Sequence, residues 1–216
     1  MSVRFNPAIA NGRLGPGGFF TGAILFFRSD GIANCGNQPE GPTLIETARL
    51  ILRKPKLSDV PHLFEFLGDP VAMKYTLVDA SLKECRQRIA LHEWKRRLDG
   101  CAPWTIITKN NNQIIGWGGL YDDPFDPGWG IELGYYFHPH AWGKGYGSEL
   151  ASAALEEAEQ TLKLPKVGAF ARPENKASRR VLEKAGFKVV RFVPEWERFF
   201  FERTFSKSDH AGQSCE

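Results

Sequence analysis

Charge of one sign, sulfur and long apolar runs are all scarce in this chain. The formal net charge of its 216 residues is only +3 and no long basic run occurs, which gives no footing for a nucleic-acid partner. The four cysteines, Cys35, Cys85, Cys101 and Cys215, have no metal-ligand spacing, so thiols in a reducing, cytoplasmic setting are the simplest account. His138 and His140 could offer two ligands from a strand end, but a place in the loop before a glycine turn is preferred and no metal is expected. The apolar run at 17–27 falls short of the roughly 20 residues that span a bilayer, so no membrane span is expected. It resembles a signal-peptide core, with Cys35 after it, yet Asn34 sits poorly before such a cysteine and Arg28, Ser29 and Asp30 follow the run at once. Residues 1–43 are therefore taken as a poorly ordered extension, 44–206 as the domain and 207–216 as a polar tail. No internal repeat and no low-complexity tract is present, and the oligomeric state is not legible.

What the chain does have is a glycine turn between a strand-like run and a helical one. The apolar stretch 131–137 leads through His138-Pro139-His140-Ala141 into Trp142-Gly143-Lys144-Gly145-Tyr146-Gly147, and Leu150, Ala151, Ala154, Leu155, Ala158 and Leu162 then recur with helical period. Glycines at alternate positions expose backbone N–H groups where a helix begins, an arrangement that holds phosphate. The plainer account is a glycine-rich connection without a ligand. Two familiar phosphate motifs are excluded: Lys144 is followed by Gly145 where a Walker loop needs Ser or Thr, and position 148 is Ser where the dinucleotide fingerprint needs Gly.

About thirty residues later, Asn175 is placed to cap a helix carrying Ala177, Val181, Leu182 and Ala185 on one face, with Gly186 as its stop. Upstream, Glu46-Thr47-Ala48-Arg49 precedes Leu50-Ile51-Leu52-Arg53. Taken together, the glycine turn, the Asn175-x-x-Ser178…Gly186-Phe187 pattern and the Glu46–Arg53 run resemble the GCN5-related N-acetyltransferases (GNAT). Trp142 stands where that family usually has Gln or Arg, a variant of its Rim-type branch. The resemblance covers roughly 44–206. It implies an α/β (α+β) fold with a mixed sheet of about six to seven strands flanked by about four helices.

The pattern along the chain fits that fold. Ser58 is expected to cap a short helix ended by Gly68. Ser81 and Glu84 form a capping box for a helix to about Leu98. Residues 104–109 and 113–120 make a hairpin around Asn110-Asn111-Asn112, 122–129 is a loop, and strands follow near 166–171, 188–192 and 198–205.

The resemblance implies acetyl-CoA as co-substrate and a primary amine as acceptor, either a protein N-terminus or a small molecule. Its pyrophosphate would lie on the N–H groups of Gly143, Lys144, Gly145, Tyr146 and Gly147, beside Trp142, and its pantetheine arm beside the strand Tyr135–Phe137, with Tyr136 and Phe137 as contacts. Glu132 is the first candidate for the base that frees the amine, with Asp122, Asp123 and Glu93 as alternatives; the plainer role is a salt-bridged carboxylate. Period-two alternation sets Glu132, Gly134 and Tyr136 on one face and Leu133 and Tyr135 on the other. Many members use a Tyr seven residues after the capping Asn to protonate the leaving sulfur, but Leu182 occupies that position. The hydroxyl of Ser178 is then the implied donor, and Asn175 a further contact to the pantetheine chain. Tyr75, Trp117, Tyr121 and Trp129 could wall the acceptor pocket, or be ordinary core aromatics. A CoA-binding sensor or partner module without turnover is the competing reading.

Overall fold

The computed structural model describes residues 44–205, so the expected extension and tail lie outside the described residues. Eight strands form one sheet: β1 (Leu44–Glu46), β2 (Leu50–Arg53), β3 (Trp104–Thr108), β4 (Ile114–Tyr121), β5 (Glu132–Phe137), β6 (Lys166–Ala171), β7 (Lys188–Val193) and β8 (Arg198–Thr204). Their spatial order is β1-β2-β3-β4-β5-β6-β8-β7. Four helices complete the fold: α1 (Val60–Leu67), α2 (Leu82–Asp99), α3 (Tyr146–Glu156) and α4 (Lys176–Lys184). The strand count exceeds the expected six to seven because the three-residue β1 pairs with β2 and carries too little pattern to be read alone.

Every side chain of β3 is buried, and so are all but the first of β4, because helices cover both faces. On one side Val60, Leu63, Phe66 and Leu67 of α1 and Cys85 and Ile89 of α2 pack on Trp117. On the other, Leu150, Ala151, Ala154 and Leu155 of α3 and Leu182 of α4 meet Leu50, Leu52, Trp104, Ile106, Leu120 and Phe201. The amphipathic spacing of α3 is thus spent on the sheet, leaving its first turn for other work.

Two local expectations change. Ser58 lies inside a 3-10 turn, Leu57–Asp59, that runs straight into α1, and the side chain that fixes this start is Asp59, which accepts from the Lys56 N–H and pairs with Arg53 at 2.6 Å. At α2, Ser81 does accept from the Glu84 N–H, but the Glu84 carboxylate reaches back to the Ala80 N–H instead of closing on Ser81. Gly100, at φ 75°, ends that helix in the left-handed conformation that glycine adopts without steric cost.

The decisive feature of the sheet is the join between β5 and β6. These neighbours run parallel and register at a single pair, Glu132 with Gly168, whereas β4 and β5 pair along six residues. Beyond Glu132 the two strands part, and β6 goes on pairing with β8 alone. A notch opens there, at the end of β5 that leads into the glycine turn.

Candidate active site

Pro139–Ala141 form one 3-10 turn after β5, and the chain then enters the glycine turn. Gly143 and Gly145 have φ of 72° and 81°, a region an L side chain adopts only at a cost. Gly147 differs: it lies within α3, and a Cβ there would meet Val181 Cγ2 at an ordinary 3.5 Å. Two of the three glycines are therefore dictated by the turn itself. The outcome is a run of six consecutive backbone N–H groups, from Gly143 to Ser148, that meet no acceptor among the described residues. They sit at the positive end of the α3 dipole, with the exposed Lys144 among them. Trp142 is half exposed, and its indole N–H donates to the Phe137 carbonyl at 3.0 Å, bracing the turn against the end of β5.

Along β5 the His138 N–H bonds to the Ile115 carbonyl, and alternation of the antiparallel ladder then turns the N–H and C=O of Tyr135 away from β4 and into the notch. The side chains divide by face as expected. Tyr136 stacks on Trp117, with ring centroids 5.9 Å apart, on the α1/α2 side. Tyr135 and Phe137 point to the α3/α4 side.

On that second side Asn175 caps α4 by accepting from the Ser178 N–H at 3.1 Å. The Ser178 hydroxyl lies 3.2 Å from the Tyr135 hydroxyl. Burial pushes the Tyr135 phenol up to about 12 in spite of the Ser178 contact, so it stays protonated and available as a donor. The sequence places Tyr135 on this face and in the strand beside the pantetheine arm but gives its hydroxyl no role; the partner of that hydroxyl lies 43 positions away in the chain, and only the fold joins them. Leu182, at the position where many family members carry the tyrosine, is packed in the core.

Glu132 begins β5 on the opposite face and is only 7% exposed. Burial raises its carboxyl to about 8, and Asp123, Asp126 and Asp122 add to the effect against a smaller pull from Arg198. Two of the alternative bases are engaged elsewhere. Asp122 is 2.6 Å from Lys95 and Glu93 is 2.7 Å from Arg96. Asp123 turns one oxygen to the Phe125 N–H at 2.8 Å. Trp117 and Tyr121 are core aromatics, and Trp129 packs among Phe170, Trp196 and Phe200. The Tyr121 hydroxyl leans over Gly134 so closely that any Cβ there would clash, which is why β5 carries a glycine next to Glu132 on this face. His92 is wedged edge-on between Trp117 and Tyr121, and burial lowers it to about 3, leaving it neutral and unsuited to general-base work on an exposed amine. No group of three or more His, Cys, Asp or Glu among the described residues is placed to hold a metal ion. No helix among them is long and apolar enough to cross a membrane.

Comparison with known proteins places this geometry. Residues 49–188 match the model of the acetyltransferase (GNAT) domain. The chain is 31% identical over 160 residues to YkkB of Bacillus subtilis, covering 72% of this chain and 91% of that protein. It is 27% identical over 165 residues to the N-acetyltransferase YnaD of the same organism, covering 73% and 94%. Among solved structures, a GNAT-family acetyltransferase of Bacillus anthracis superposes with a TM-score of 0.61 at 24% identity, covering 74% of this chain and 98% of that one. RimL, a ribosomal-protein α-N-acetyltransferase solved in complex with coenzyme A, superposes with a TM-score of 0.64 at 18% identity, covering 74% and 97%. A helix-starting glycine turn beside a splayed strand pair, on a chain that matches the domain model over most of its described length, makes this protein a member of the GNAT acetyltransferase family.

Proposed function

We propose that the protein transfers the acetyl group of acetyl-CoA to a primary amine, in the manner of the Rim-type branch, with a protein N-terminus or a small molecule as acceptor. The observation that carries this reading is the row of six unpaired N–H groups from Gly143 to Ser148, opening beside the notch between β5 and β6. Such a row at a helix N-terminus suits a pyrophosphate, and the free N–H and C=O of Tyr135 suit an amide-bearing arm laid along the strand.

The co-substrate supplies an acetyl group already activated as a thioester. The chain's own residues account for the rest. Gly143 to Ser148 bind the phosphates, with Lys144 adding positive charge. The Ser178 hydroxyl, held by Tyr135 and by the cap at Asn175, hands a proton to the departing sulfur. Glu132 takes a proton from the incoming amine on the other face of β5, and the neighbouring Asp123 and Asp126 favour a cationic acceptor there.

The test is release of free thiol from acetyl-CoA across a panel of α-amines, lysine side chains and small diamines, with acetylated product identified by mass spectrometry. Turnover with at least one acceptor, depressed in Ser178→Ala, supports the proposal. Saturable CoA binding without turnover for any acceptor would make the protein a binding module instead.

A further inference from the structure

Arg49 lies in the turn before β2, 95 positions from the glycine turn, yet it touches that turn at several points. Its Nη1 donates to the Lys144 carbonyl at 2.9 Å. Its Nε donates to Glu149 Oε2 at 2.7 Å and its backbone N–H to Glu149 Oε1 at 2.8 Å. Thr47 Oγ1 donates to the same Oε1 at 2.6 Å. The guanidinium also lies 4.7 Å from the centre of the Tyr146 ring. Two consequences follow. Glu149, in the first turn of α3, would set a negative charge beside the phosphate-binding end; burial raises its carboxyl, but the bonds from Thr47 and Arg49 outweigh that and hold it below its ordinary value, with a cation against it. The Lys144–Gly145 peptide is trans, so drawing its C=O towards Arg49 turns the Gly145 N–H the opposite way, away from Arg49.

We propose that Arg49 is the positioning residue of the phosphate turn: it fixes the direction of the Gly145 N–H and cancels the charge of Glu149 at the start of α3. This rests on the coenzyme reading above. It assigns to the Thr47–Arg49 segment, distant in the chain from the glycine turn it touches, control over coenzyme affinity.

The test uses Arg49→Gln and Arg49→Lys in the full chain. Lysine keeps a positive charge against Glu149 but lacks the second arm that reaches the Lys144 carbonyl, so it decides the matter if the Gln variant fails to fold. Calorimetry with CoA should show affinity reduced about tenfold or more in Arg49→Gln and about fivefold in Arg49→Lys, the scale expected for a lost charge-assisted hydrogen bond. Binding of pantetheine, which has no pyrophosphate, followed through amide resonances, should be unchanged; a merely structural defect would weaken both ligands. In the coenzyme-free protein the Gly145 amide resonance should shift in both variants. Wild-type CoA affinity in Arg49→Lys would overturn the inference and leave the coenzyme reading intact. A loss of affinity with the Gly145 resonance unmoved would also overturn it, in favour of direct contact between Arg49 and phosphate. Failure of the wild-type chain to bind CoA would overturn both.

Discussion

At Glu132, burial and three nearby aspartates act in one direction, and the carboxyl is held protonated up to about pH 8. Its ordinary value is 4.5, so the folded state binds the proton more tightly than the unfolded chain does. The stability this brings is fully present below 4.5 and is lost as pH rises through about 8. Glu132→Gln, which carries no charge at any pH, should therefore raise Tm at pH 9 by about 3 °C or more and change it little at pH 5. Activity follows the same titration. In the proposed mechanism Glu132 can act as base only once deprotonated, so the activity of the variant relative to wild type should fall as pH climbs past 8. A glutamate with an ordinary value, charged throughout that range, would give the opposite trend, a loss mainly at lower pH, where the acceptor amine is most protonated and most needs a base. A ratio of variant to wild-type kcat that stays flat from pH 6 to pH 10 would remove Glu132 from the mechanism.

The pair on the other face of β5 gives a second prediction at the same scale. Ser178→Ala should lower kcat by roughly 10² while leaving CoA affinity within about twofold, as loss of a proton donor does. Tyr135→Phe keeps the ring packed and removes only the hydroxyl, so it should lower kcat by a smaller factor, with the same unchanged affinity. Steady-state kinetics paired with calorimetry separates the two effects.

Among the elements, the glycine turn was the most legible in the sequence, because a glycine run between a two-residue period and a 3.6-residue period is a local signal. The helix around Asn175 was legible for the same reason. What stayed hidden depends on contacts distant in the chain: β1 is visible only through its pairing with β2, Tyr135 gains meaning only from Ser178, and the hold of Arg49 on Lys144 joins residues 95 positions apart. The structure also separates glycines that look alike in sequence. Gly143→Ala has open space around its Cβ but keeps a φ of 72°, and should cost about 1–2 kcal/mol in chemical denaturation. Gly147→Ala sits at a helical position with ordinary contacts, and should be neutral or stabilising by up to about 1 kcal/mol.

For the molecule as a whole, a single register pair decides where the notch opens. Glu132 and Gly168 hold β5 and β6 together at one point, and the separation beyond it leaves the backbone of β5 open between the phosphate turn, Ser178 on one face and Glu132 on the other. Gly168 is fitted to this join. A Cβ there would lie 2.9 Å from the Phe200 ring and 3.7 Å from Glu132 Cγ. Gly168→Val should therefore cost about 1–3 kcal/mol of stability by overpacking and should impair turnover as Glu132 is displaced. Denaturant unfolding alongside the thiol-release assay checks both parts. The four helices could be expected from hydrophobic period and capping residues, and the mixed α/β architecture from the family resemblance, whereas the notch could not, since it is an absence of pairing between two strands that each look ordinary.

The central claim is that the turn at Gly143–Ser148 receives the pyrophosphate of coenzyme A, and titration calorimetry of acetyl-CoA into the wild-type chain and into Gly145→Glu tests it most directly. Saturable binding by the wild type, lost when bulk and negative charge enter the turn while Tm and the circular dichroism spectrum are retained, is the predicted result. Equal affinity in the two proteins, or no binding by the wild type, would contradict it.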